Sequence, residues 1–129
     1  MAAILVDMHV LLWTRVSPRR LSPREREVIE TASPRYMSVV SLWEIAIVIS
    51  LERVADDPRL FAAPAGFDLL AVMPEHCKEL LALPQHRRDP FDRMPIAQTR
   101  AENLLLVTRD RMLSAYRTTG VAILYRGRE

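Results

Sequence analysis

The sequence predicts a single α/β domain whose mainly parallel sheet is covered by helices on both faces. Three observations carry this. The chain has 129 residues and is half hydrophobic, enough for one core of ordinary size. Short apolar runs with strand character alternate with segments that carry helical signals. The links between them are short, as in chains that return each strand parallel to the last.

Residues 3–6 open the chain as a buried strand, and Asp7 follows directly, with VLLW beyond it on a helix. Ser22-Pro23-Arg24-Glu25 is a capping box with proline at the first helical position, so a short exposed helix is expected over residues 24–31. A strand at 36–39 leads into SLWEIAIVIS, helical by length and composition over 41–53. DDPRLFAAPAG, residues 56–66, reads as a loop around one broken helical turn. A strand at 67–72 precedes a helix opened by Pro74 over 75–83. Asp89-Pro90 is a second cap-plus-proline signal before a helix at 91–103, and the apolar run at 104–107 is the fourth strand. A short helix over 110–116 and a strand at 121–124 complete the domain.

Composition excludes several functions. No basic segment precedes an apolar one at the start, and no apolar run approaches the ~18 residues of a membrane span, so a cytoplasmic protein without membrane attachment is expected. The single Cys77 forms no internal disulfide and reads as a small buried hydrophobe. Of 18 Lys plus Arg, only Lys78 is lysine. An arginine-rich surface forks onto phosphate and suits nucleic acid, although a GC-rich genome writes the same usage. Three glycines leave no phosphate-cradling loop, and Ser41 lacks the setting of a hydrolase nucleophile.

Four acids stand in expensive places. Asp7 marks the carboxyl end of the first strand, where chemistry gathers in parallel sheets. Glu44 has Ile47 and Val48 as its helical neighbours, so its carboxylate shares a face with core residues. Asp92 begins a helix, and Asp110 follows the fourth strand in Thr108-Arg109-Asp110. Each has a structural reading as a cap, with Ser41 and Glu44 forming a capping box of their own. Strand ends one and four, a helix after strand two and a helix before strand four can all border one crevice. Two carboxylates ~5 Å apart repel by roughly 3 kcal/mol at an effective dielectric near 20. The simplest relief is a divalent cation, and all-oxygen ligands favour Mg²⁺ or Mn²⁺ over zinc. Such an ion serves in-line phosphodiester cleavage. Arg87, Arg88 and Arg93 would then hold the substrate backbone.

ILVDMHVLLW, SLWEIAIVI, HRRDPFDRMPIAQ and LVTRD, in this order and at these intervals, resemble the PIN-domain nucleases. More narrowly they resemble the VapC-type toxins of bacterial toxin–antitoxin pairs. The resemblance covers residues 4–124. It implies a three-layer α/β/α PIN-like domain with a central, mainly parallel sheet of about five strands. It also implies an endoribonuclease dependent on Mg²⁺ or Mn²⁺, with Asp7, Glu44, Asp92 and Asp110 as the acidic set and Thr108 supplying a hydroxyl near the metal. By the same analogy the chain forms a homodimer and is silenced by a small antitoxin in its active-site groove.

Met8, Val48 and Pro95 depart from that pattern, and Pro95 bears on the site. A helix starting at Pro90 would be kinked by Pro95 beside Asp92. A helix capped by Asp92 would carry Pro95 in its first turn without loss, and this second geometry is the one expected. His9 is either a satisfied structural residue or one that orients a metal-bound carboxylate or water. His76 shows no metal-like spacing, and His86 belongs to a solvated loop or joins Arg87 and Arg88 at a phosphate. Trp13 and Trp43 are expected in the core. Two other functions compete. A phosphotransfer enzyme also places Asp after its first strand, but needs a lysine that Lys78 does not supply. A catalytically impaired PIN-fold module would bind RNA or a partner without cutting.

Overall fold

Residues 3–16, 18–84, 89–110, 113, 115, 116 and 122–125 are described by the structure, a computed structural model. Five strands form one sheet: β1 (Ile4–Val6), β2 (Arg35–Ser38), β3 (Asp68–Leu70), β4 (Leu105–Thr108) and β5 (Ala122–Tyr125). Their order is β3-β2-β1-β4-β5, and every neighbouring pair is parallel. The helices are α1 (Met8–Val16), α2 (Pro23–Thr31), α3 (Val39–Ser50), α4 (Pro74–Ala82) and α5 (Pro90–Ala101). Turns of 3₁₀ helix lie at Pro18–Arg20 and Pro58–Phe61, the second being the broken helical turn expected within 56–66. Of the expected helix over 110–116, the described residues 113, 115 and 116 are in 3₁₀ conformation, and 111, 112 and 114 lie outside the described residues.

Side chains of β1 alternate between two cores, which is the signature of a sheet covered on both faces. Ile4 and Val6 join Val10, Leu11, Val28 and Ile29 on the α1–α2 side. Leu5 joins Ile96, Ala97, Leu104 and Tyr116 on the α5 side. A smaller cluster of Met8, Ile45 and Leu60 packs α3 against the start of α1. The result is the three-layer α/β/α arrangement.

Capping chemistry sets most helix starts. Ser22 caps α2: its hydroxyl accepts from the Glu25 amide at 3.1 Å, and Glu25 Oε1 accepts from the Ser22 amide at 2.8 Å. In α3 the cap is Ser38, whose hydroxyl accepts from Val40 N at 3.1 Å. The helix therefore begins directly after β2, and Ser41 and Glu44 lie inside it rather than forming the expected box. Asp89 caps α5, accepting from Phe91 N at 2.9 Å, so that helix begins at Pro90. The expected geometry with Asp92 as cap is corrected. Pro95 stands in the helix interior, removing the bond the Phe91 carbonyl would accept, at roughly 3 kcal/mol.

Two core assignments also change. Trp43 is 64% exposed and meets Phe91 edge-on, ring centroids 5.0 Å apart. It lies two residues from both Ser41 and Ile45, which are buried, and therefore about 200° around the helix from each. The Trp13 side chain lies outside the described structure. Cys77 is exposed, because α4 turns His76 and Leu80 inward and Cys77 is one step around from that stripe. No helix among the described residues is long and apolar enough to cross a membrane.

Candidate active site

The chain leaves β1 toward β2 on one side and returns through β4 on the other, so a crevice opens beyond the carboxyl ends of β1 and β4. A cleft of about 310 Å³ lies there. All four predicted acids line it, Asp7, Glu44, Asp92 and Asp110, together with His9, Ser41, Phe91, Pro95 and Arg109.

Asp7 is held on every side. Its amide donates to the Val107 carbonyl at 3.1 Å, extending the β1–β4 ladder, and its carbonyl accepts from Leu11 N at 2.9 Å. Oδ1 accepts from Val10 N at 3.0 Å, so Asp7 does cap α1. Oδ2 accepts a hydrogen bond from the Thr108 hydroxyl. The cap reading holds, and the second oxygen is turned to β4 at the wall of the cleft. Burial pushes the carboxyl up, against the hydrogen bonds from Thr108, Val10 and the Arg109 amide and the charge of His9, which pull it down.

Thr108 is fully buried and ties two acids together. Its hydroxyl donates to Asp7 and accepts from Asp110 N at 3.0 Å, two groups 101 and 2 residues away in sequence. Asp110 then turns the chain, its carbonyl accepting from Leu113 N at 3.1 Å.

Glu44 projects from α3 and is half-buried. Burial first, and then the charges of Asp92, Asp89 and Asp7, push its carboxyl up to about 7, with His9 pulling the other way. Asp92 occupies the first turn of α5, where the positive end of the helix dipole favours an anion. His9 is exposed at the rim and close enough for its charge to bear on both Asp7 and Glu44.

The basic residues fare differently. Arg93 is engaged within the fold: its Nη2 donates to the carbonyls of Leu80 and Leu83 at 3.2 and 3.3 Å, closing the last turn of α4. Orphan carbonyls at a helix end attract a guanidinium, and the α4–α5 packing brings them to it. His86, Arg87 and Arg88 lie outside the described residues. Arg109 was not singled out from sequence, although it stands inside the Thr108-Arg109-Asp110 stretch. Its Nε meets Oε2 of the fully buried Glu25 at 3.3 Å, a pairing no local signal announces.

The donor set is all carboxylate, the ligand chemistry of a hard divalent cation, and the cleft leaves room for water around an ion. Among the described residues no three of these acids bring ligating oxygens within 4.8 Å of one another, so an ion would have to draw them closer or keep several waters. Among the described residues, three ligating atoms lie within 4.8 Å of one another at Glu75, His76 and Glu102, a separate group at the far end of α5. That group is a staple between helices. His76 Nδ1 accepts from Met73 N at 3.0 Å, so Nε2 carries the proton toward Glu102 Oε2, also 3.0 Å away. A metal on Nε2 would force a proton onto Nδ1, against the Met73 N–H.

A family model described as the PIN domain matches residues 4–118. Among proteins of established function, none matches by sequence. Several solved structures share the fold. The structure of VapBC2 from Rickettsia felis bound to a DNA fragment from its promoter is 9% identical, covers 95% of this chain and 98% of that one, and superposes with a TM-score of 0.71. A toxin–antitoxin complex from Klebsiella pneumoniae is 17% identical over 83% of this chain and 86% of that one, at 0.57. Mycobacterium tuberculosis VapC20, a Sarcin-Ricin loop cleaving toxin, is 17% identical over 95% and 99%, at 0.60. With the family model matched over most of its length and the strand order and cleft in place, the chain belongs to the PIN domain family.

Proposed function

We propose that this chain is a Mg²⁺- or Mn²⁺-dependent endoribonuclease, the VapC-type toxin of a toxin–antitoxin pair. One observation carries the reading: four carboxylates drawn from β1, α3, α5 and the end of β4 line one cleft at the sheet's switch point. No structural need brings four like charges together. Asp7, Glu44, Asp92 and Asp110 would hold the metal. When bound, the ion supplies a water of lowered pKa and charge to offset the developing oxyanion of an RNA phosphodiester. Thr108 keeps the Asp7 carboxylate turned and couples its position to Asp110. Leu106, Phe91 and Pro95 give the cleft part of its apolar lining.

The solved toxin–antitoxin complexes of the same fold support a cognate antitoxin as partner. An apolar depression of about 360 Å³ around Val39, Trp43, Phe91 and Met94 supports a homodimer, since so much exposed apolar surface favours association. The arginine-rich composition suits an enzyme that acts on RNA.

A second reading is a PIN-fold module that binds RNA or a partner without cutting, and Pro95 favours it. The proline lies inside α5 one turn from Asp92 and weakens the helix that presents that acid. Cleavage of a mixed RNA pool with Mn²⁺, with EDTA and by Asp7→Asn decides. Cutting that needs both metal and aspartate supports the nuclease. Folded, antitoxin-free protein that binds RNA but never cuts it establishes the second reading.

A further inference from the structure

Ser41 stands three residues before Glu44 on α3, and both line the acid cleft. Three residues carry a helix through about 300°, so the two side chains share a face. They differ in depth: Glu44 is half-buried, whereas Ser41 is only 4% exposed. A hydroxyl buried on a helix has an ordinary partner within reach, the carbonyl three or four residues back. Thr14, Thr31 and Ser50 each donate in that way. Ser41 does not, and among the described residues its hydroxyl makes no hydrogen bond. Nor does it cap α3, since Ser38 holds that place.

A buried polar group without a partner is costly, and alanine would fill this face with better helix propensity. The hydroxyl therefore calls for a partner that enters the cleft. The spacing of the four acids points to one. An ion that keeps several waters among them brings donors with it, because each such water turns its lone pairs to the ion and its hydrogens outward. Those hydrogens need acceptors. A serine hydroxyl accepts without adding like charge, in a cleft where the charges of Asp92, Asp89 and Asp7 already bear on Glu44.

We propose that Ser41 is a positioning residue of the acid cleft, its hydroxyl accepting a hydrogen bond from a water in the shell of the divalent cation. The inference rests on the metal-dependent reading of the site. Ser41 acts through that water and leaves direct ligation to the carboxylates.

Calorimetric titration of Mn²⁺ onto the purified full chain, wild type and Ser41→Ala, tests this, with thermal unfolding in EDTA followed alongside. Ser41→Ala should weaken Mn²⁺ binding about fivefold, the worth of one ordinary hydrogen bond. Its melting temperature in EDTA should equal or exceed that of wild type, because no bond within the described chain is lost and alanine is the better helix former. A merely structural hydroxyl gives the reverse pattern, lower melting in EDTA with unchanged Mn²⁺ affinity. Weaker binding accompanied by lower melting in EDTA, or failure of Ser41→Ala to fold, is a loss of packing and overturns the proposal. Wild-type affinity in a folded Ser41→Ala overturns it alone, and is the outcome if the hydroxyl meets an RNA phosphate instead. A folded wild-type chain that takes up no Mn²⁺ overturns the metal-dependent reading and the proposal together.

Discussion

Glu44 makes the acid cleft measurable without any RNA. Its carboxyl is raised from an ordinary 4.5 to about 7, chiefly by burial and then by the charges of Asp92, Asp89 and Asp7. Between those two values the folded chain binds more protons at this residue than the unfolded chain does. Stability from this group is therefore complete below about pH 4.5 and is lost as pH rises through about 7. At 1.36 kcal/mol per unit the full shift corresponds to roughly 3 kcal/mol. Half the side chain is screened by solvent, which reduces the expected effect to about 1–2 kcal/mol. Urea unfolding in EDTA at pH 5 and pH 8 reads it directly. Wild type should lose stability between the two, and Glu44→Gln should remove about 1–2 kcal/mol of that loss, leaving the part due to Asp7, which is raised in the same direction. Mg²⁺ or Mn²⁺ should restore wild-type stability at pH 8 and do little at pH 5. Identical pH slopes for wild type and Glu44→Gln would refute the picture of a charge-crowded cleft.

Thr108→Val leaves Asp7 Oδ2 without its hydroxyl donor and the Asp110 amide without its acceptor. About 2–3 kcal/mol of unfolding free energy should disappear, and Mn²⁺ affinity should fall with it in calorimetry. Pro95→Ala restores a donor to the Phe91 carbonyl at the cost of some packing, so melting should rise by the equivalent of about 1–2 kcal/mol; a lower melting temperature would place Pro95 in a role its helix position does not reveal. Arg93→Met breaks two bonds to the α4 carbonyls and should cost about 1–2 kcal/mol while leaving the salt dependence of RNA binding unchanged. A salt slope reduced by about one would instead return Arg93 to the substrate.

What the sequence by itself determined is local. The Ser22–Glu25 capping box, the five apolar runs and the spacing of the acids are decided within a few residues, by caps, prolines and buried strands, whereas Asp89 and Asp92 both offered a cap for α5 and only the structure chose Asp89. Those signals were enough for the α/β class and for naming Asp7, Glu44, Asp92 and Asp110, because carboxylates in apolar company stand out wherever they fall. Resemblance to the PIN pattern then supplied Thr108 and the order of layers. Only the tertiary structure decided how these residues are used. SLWEIAIVIS is apolar on every side, so nothing in it announces that Ile45 faces inward and Trp43 outward. Whether Arg93 meets phosphate or a helix end depends on where α4 stops against α5. The pairing of Arg109 with Glu25 and the hydroxyl bridge from Thr108 to Asp7 join residues far apart in the chain. Such contacts leave no local trace, because each partner is an ordinary residue until the sheet brings the ends of β1 and β4 side by side.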